Sequence, residues 1–169
     1  NEYKPGVDYI EWGSGSAGWL YKYQMRGLKT RIYGLESEIY YDLSKTVEFY
    51  SSLSIARGDN LSDNKPLAYM PPHKLLFSTK LNLYPITFDI MLKRVFDQTR
   101  LGEFETNTVG YLITDLSSSY AINAWKLKQK LILTIDNIFN KEHYNHLSRI
   151  KDIMPERGRS VGLQYRLLF

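Results

Sequence analysis

The feature that most constrains this chain is a hydrophobic period of two, sustained over most of its length. From Gly158 to the end the residues run Gly-Arg-Ser-Val-Gly-Leu-Gln-Tyr-Arg-Leu-Leu-Phe. One parity carries Val161, Leu163, Tyr165, Leu167 and Phe169; the other carries Ser160, Gly162, Gln164, Arg166 and Leu168. Successive side chains of a strand point to opposite faces, so this is a strand with one apolar and one mainly polar face. Segments 47–56, 74–84, 86–96, 110–122 and 126–136 pass the same test. The longest run, 19–43, keeps its parity through Gly27 and reads as one very long strand with room for a kink there. Residues 1–11 read as the end of a preceding strand, which makes eight strands in all.

Short connections at 43–45, 84–85 and 123–124 alternate with long polar ones at 12–18, 57–72, 99–107 and 139–157. Antiparallel hairpins with tight turns on one rim and large loops on the other produce that order. No tandem repeat, Pro-rich linker or low-complexity segment divides the chain, so residues 1–169 read as one unit.

Alternation alone leaves open whether the apolar face is the inside of a soluble barrel or the lipid-facing outside of a membrane barrel. Two features favour the membrane. Most of the strands are longer than the usual range of about 3–10 residues. The apolar face also carries Tyr33, Tyr41, Phe49, Phe77, Phe88, Phe96, Tyr120, Tyr165 and Phe169, too many large rings for a small barrel's interior. Tyr41, Phe88, Tyr120 and Phe169 lie close to short turns, where an interfacial aromatic girdle would sit. Charge follows the same division. Fifteen charged residues fall on the polar parity, and only Lys29, Arg31 and Arg94 on the other. A lipid-facing charge at mid-bilayer costs about 2–4 kcal/mol, although a soluble barrel with a polar outside would sort its charges much the same way.

Composition removes other classes. With no cysteine there is no disulfide scaffold, Cys-type zinc site or thiol chemistry. A net charge of +4, evenly spread, does not suggest a nucleic-acid partner. No stretch approaches the roughly 18 apolar residues of a membrane-spanning helix. Asn1-Glu2-Tyr3-Lys4 leads into no apolar signal-peptide core, so the start reads as mid-element. No Ser/His/Asp or carboxylate-pair arrangement stands out, so the chain is expected not to be an enzyme and to need no cofactor.

The C-terminal third is more specific. Asp136-Asn137-Ile138-Phe139-Asn140-Lys141 followed by Tyr144 resembles the N-L-F-(D/N)-K-x-Y element of TonB-dependent outer-membrane receptors. Pro155-Glu156-Arg157-Gly158-Arg159 is similar to that family's P-x-P-G-R, and the chain ends, as members do, in an alternating strand with terminal Phe169. Tyr33-Gly34-Leu35-Glu36-Ser37-Glu38 resembles its G-x-E-x-E strand. Pro66-Leu67-Ala68-Tyr69-Met70-Pro71-Pro72-His73 resembles its P-x-x-x-I-P-P-x-R junction, and Phe104-Glu105-Thr106 with Gly110-Tyr111 resembles F-E-T-x-x-x-G-Y. Met70 for Ile, His73 for Arg and Arg157 for Pro are the departures.

The resemblance implies the C-terminal part of a 22-stranded barrel, whose plug and roughly fourteen further strands lie outside these residues. It implies transport of a scarce nutrient, an iron–siderophore complex by default or a transition metal such as zinc, with haem and cobalamin behind. The implied location is the bacterial outer membrane. Implied partners are the inner-membrane TonB complex acting through the plug, outer-membrane lipid, the barrel assembly machinery through Phe169, and the metal-chelate or small-molecule substrate. Two other readings stay open: a complete eight-stranded membrane barrel with a structural or adhesion role, and an outer-membrane hydrolase.

Four motifs need weighing. Gly13-Ser14-Gly15-Ser16-Ala17-Gly18 fits G-x-G-x-x-G but leads into strand alternation, so a hairpin loop is favoured over a dinucleotide site. Arg57-Gly58-Asp59 and the sequon Asn60-Leu61-Ser62 read as loop residues without an adhesive or glycan role. His143 and His146, near Glu142 and Asp152, are the candidate metal residues, set against a role in packing their loop on the barrel rim; a metal site wants three or four converging ligands. Asp136-Asn137 reads as a strand end secured by side-chain-to-backbone hydrogen bonds.

Overall fold

The fold is given by a computed structural model, which describes residues 2–11, 19–124 and 127–168, with side chains over 27–124 and 127–167. Among them are ten strands and no helix: β1 (Glu2–Glu11), β2 (Trp19–Arg26), β3 (Thr30–Asp42), β4 (Val47–Asn60), β5 (Lys65–Pro66), β6 (Lys74–Leu83), β7 (Ile86–Val95), β8 (Tyr111–Ala124), β9 (Leu127–Asp136) and β10 (Ser160–Leu168). Every pairing is antiparallel. β1 and β2 form a two-stranded sheet. The rest form one eight-stranded sheet in the order β10-β9-β8-β7-β6-β4-β3, with the short β5 paired to the end of β4. This all-β antiparallel meander is open, because β3 and β10 are not paired with each other.

The long strand expected over 19–43 is interrupted at residues 27–29, and its two halves join different sheets. The cause is a change of partner. Arg26 is the last residue opposite β1, whereas the β3 ladder starts with Thr30 opposite Asn60. Lys29 is held instead by the turn after β4: its N–H donates to Ser62 Oγ at 2.9 Å, and its carbonyl accepts from Leu61 N at 2.8 Å. The second difference is that β4 runs to Asn60, so Arg57-Gly58-Asp59 lies on a strand and not in a loop. Asn60 is buried, and its amide Nδ2 donates to Asp63 Oδ2, so the sequon's asparagine is not presented to solvent. Residues 12–18, with the glycine-rich motif, and Phe169 lie outside the described residues, as do residues 125–126.

From β3 to β10 the register never slips, so face assignments carry across the sheet. Leu35 lies opposite Ile55, Leu53 opposite Leu75, Phe77 opposite Leu92, Ile90 opposite Leu116, Tyr120 opposite Leu131, and Leu133 opposite Leu163. Cross-strand partners share a face. One face of seven strands is therefore mainly apolar, with charge only at its loop-side end. Many of its large side chains are exposed: Leu35 by 56%, Ile39 by 62% and Leu163 by 71%. The opposite face carries the polar lattice. Lys80 Nζ donates to Glu48 Oε2 at 2.9 Å, Asn82 donates to Glu48 Oε1 at 2.6 Å, and Ser78 Oγ donates to Asp89 Oδ1 at 2.7 Å.

Among the described residues only Met70, Val95 and Ile113 are buried hydrophobics. Val95 and Ile113 share the polar face near the long-loop rim, and Met70 sits in the loop between β4 and β6. The sheet thus has no second layer, and its small core lies where loops meet the polar face.

Two outcomes follow. Cysteines placed in the full-length protein at Leu131, Leu133, Val161 and Leu163 should react with a lipid-phase probe, while those at Lys128, Lys130, Gln164 and Arg166 should not; equal labelling would refute the face assignment. The isolated 169-residue chain has an eight-stranded sheet with two open edges, β3 and β10, whose unpaired backbone groups each cost several kcal/mol in hydrocarbon. Refolded in detergent it should aggregate or pair edge to edge, and a monodisperse, heat-modifiable monomer would contradict this.

Candidate functional site

Three long connections, 61–73, 96–110 and 137–159, leave the same rim of the sheet and are tied together by side chains. The tie starts with Glu105, whose side chain is almost fully buried. Its Oε1 accepts from Tyr69 N at 2.6 Å and its Oε2 from Gly102 N at 2.7 Å, joining the first two loops. Tyr69 has φ 59°, and Gly102 lies so close to Ala68 that a Cβ would sit 2.5 Å from its backbone. Glycine is required there by contact. Gln98 Nε2 donates to Met70 O at 2.9 Å and reinforces the junction, while Gln98 and Thr108 close the base of the second loop with reciprocal backbone bonds.

His146 brings in the third loop. It is buried, with Nδ1 2.9 Å from Thr108 Oγ1 and Nε2 3.4 Å from Glu105 Oε1. Lys151 Nζ donates to Thr108 Oγ1 at 3.0 Å, and also to Thr106 O and Oγ1 at 2.5 and 2.7 Å. Thr108 Oγ1, which accepts from Lys151, is thus also the hydrogen-bond partner of His146 Nδ1, and Nε2 is the ring nitrogen that faces Glu105. Burial, the largest influence, holds the His146 pKa below its usual value; Glu105 opposes this and Lys151 adds to it. The ring is neutral at pH 7 and works as a strut.

His143 has different surroundings. Its ring packs on Tyr111 with centroids 4.6 Å apart, and Nδ1 lies 3.1 Å from Lys141 O. It lines a pocket of about 350 Å³ with Tyr111, Glu142, Tyr144, Lys151 and Asp152. The structure therefore places the two histidines in separate environments, one lining a cavity and one locked in the tie. Among the described residues no group of three or more His, Cys, Asp or Glu is placed to hold a metal ion.

The motifs at the two ends of the third loop clasp each other. Asn137, buried and at φ 51°, donates Nδ2 to Lys141 O and accepts from Lys141 N, while its own N–H donates to Asp115 Oδ1 at 2.7 Å. Asn137 is thus the strand-end cap expected from sequence. Asp136 accepts from Arg157 at 3.1 Å and from Ser160 Oγ at 2.9 Å. Arg159 N donates to Asn140 Oδ1, which lies 2.8 Å from where a Cβ on Gly158 would stand. Lys151, Thr108 and Arg100 carry no sequence signal of their own. Arg100 bridges to β4, donating to Gly58 O and to Asp59, which also accepts from Arg31 at 2.9 Å.

Glu105→Ala should leave the N–H groups of Tyr69 and Gly102 without their acceptor, at about 1–3 kcal/mol for each that stays buried. Limited proteolysis of the folded full-length protein should then cut within 61–73 and 96–110 while the strands stay protected. An unchanged cleavage pattern would show that the tie does not hold the loops.

No family model matches this chain. Among solved structures it is similar to the copper transporter OprC, with a TM-score of 0.78 and 23% sequence identity over 86% of this chain. The match covers 24% of that chain, so this one spans about a quarter of its length. The likeness is one of fold. No helix among the described residues is long and apolar enough to cross a membrane, which has no bearing on crossing by strands.

Proposed function

We propose that this chain is wall and loop rim of a larger outer-membrane β-barrel that imports a scarce metal or metal chelate by the TonB-dependent mechanism. The observation that carries the reading is the slip-free register, which leaves a largely exposed, mainly apolar face on seven strands and gathers most of the charges on the other. Such a surface suits acyl chains, and a backbone hydrogen-bonded from strand to strand meets the demand of hydrocarbon. The open edges at β3 and β10 are where further strands of the same barrel would add. The loop ties make the loop rim a preformed vestibule rather than a set of loose hairpins.

Cargo class rests on two supports: the motif resemblance to TonB-dependent receptors, and the fold likeness to a protein named as a copper transporter. An iron–siderophore complex and zinc remain within that class. We assign His143, on the pocket wall beside Glu142 and Asp152, to contact with such cargo. His146 acts through the loop tie. Energy would come from the inner-membrane TonB complex through a plug, and Phe169 would mark the chain for barrel assembly.

The test uses the full-length protein in its own bacterium. Uptake of labelled iron–siderophore, zinc and copper is compared between wild type, a deletion strain and a strain lacking TonB. One cargo should lose uptake in both mutants, and His143→Ala should lower it about tenfold with barrel abundance unchanged. Undiminished uptake of all three in the deletion strain would overturn the reading.

A further inference from the structure

On the apolar face the charges are confined to one end. Of the side chains that the register places on this face of the seven ladder strands, four are charged: Arg31, Arg57, Asp59 and Arg94. All four lie in the half toward the long loops, and the half toward the tight turns has none. Lys29 and Arg159 continue the same parity one residue beyond β3 and β10, again on the loop side, and both are exposed. The one acid is already taken, since Asp59 accepts from both Arg31 and Arg100. Among the described residues Lys29, Arg57, Arg94 and Arg159 have no carboxylate within 4.0 Å.

Height agrees with an interfacial position. A strand rising about 3.4 Å per residue and tilted about 40° gains roughly 2.6 Å of height per residue. Arg57 and Arg31 then stand roughly 26–29 Å above the tight turns, at the upper limit of an apolar band about 25 Å tall. Arg94 stands roughly 5 Å lower, within reach of the interface for a long side chain that extends upward. Two of these cations rest on rings, the arrangement of an interfacial belt: Arg31 is 5.5 Å from the centre of Tyr33, and Arg94 is 5.6 Å from that of Phe96.

We infer that Lys29, Arg57 and Arg94, extended by Arg159, form a binding surface for the phosphate groups of anionic lipid headgroups in the loop-side leaflet. This rests on the apolar face being the lipid face, as proposed above. The aromatic rings and aliphatic stems meet the upper acyl chains, while the guanidinium and ammonium groups meet phosphate oxygens. Guanidinium is suited to this, because its planar fork pairs two donors with two phosphate oxygens. Arg31, paired with Asp59, closes the strand end and is not counted among the free cations.

The test places the full-length protein in phosphatidylcholine nanodiscs containing spin-labelled phosphatidic acid or, separately, spin-labelled phosphatidylcholine. Wild type should hold the phosphatidic acid at least about fivefold more strongly, the worth of roughly one interfacial cation, and lose this preference in high salt. Lys29→Gln/Arg57→Gln/Arg94→Gln, which keeps Arg31 on Asp59, should bring the preference close to one with heat-modifiability unchanged. A preference equal in wild type and variant, or absent from both, would overturn the inference. So would its abolition in wild type by millimolar inorganic phosphate at constant ionic strength, which would assign the cations to free phosphate. A lipid-phase probe at Leu163→Cys in the same discs separates the two readings: no labelling there would mean that the lipid face itself is misassigned.

Discussion

Everything in this molecule depends on an antiparallel ladder that keeps its register from β3 to β10. A slip of one residue in any pair would send that strand's apolar side chains to the polar face and its charges to the apolar one. No pair slips, so Leu133 and Leu163 share a face with Leu35, five and six strands away in the sheet. The two faces therefore never mix over the whole width. One sheet with a mainly apolar and a mainly polar side is what the wall of a membrane barrel requires. It also explains why the described residues have so small a core: the buried hydrophobics among them, Met70, Val95 and Ile113, lie around the loop rim.

The rim solves the opposite problem. Long loops usually run over a surface and move, yet here a buried carboxylate, a neutral imidazole and an ammonium group join three of them. Each of these groups faces partners from another loop. Glu105 takes N–H groups from Tyr69 and Gly102, and Lys151 gives its protons to Thr106 and Thr108. Polar groups carry the tie, while large apolar side chains of the same loops, such as Phe104, Phe139 and Ile153, stay exposed. A pocket wall built on such a frame, with Tyr111 from a strand and His143 from a loop, is backed by the tied loops behind it.

The family-like motifs acquire physical content in this setting. Residues 136–141 and 155–159 lie at opposite ends of one loop, and the structure brings them together through Asp136 with Arg157 and Asn140 with Arg159. Glu105, inside the F-E-T element, reaches Tyr69 inside the proline-rich junction. These short signatures are the two halves of clasps.

What the sequence determined by itself was the strands and their faces. Side-chain alternation is local, so positions 47–56, 74–84, 86–96, 110–122, 126–136 and 158–169 could be read with nearly the right ends, and Asn137 could be recognised as a cap. The extension of β4 through Arg57-Gly58-Asp59 could not, because those residues lack hydrophobic alternation and are held extended by β3, β5 and Arg100. The break at 27–29 was equally hidden, since parity runs through it and only the change of partner strand reveals it. The separation of His143 from His146 was also decided in three dimensions. Three residues apart in an irregular loop carry no fixed direction, and it is Tyr111 on one side and Thr108 with Glu105 on the other that set where each ring goes.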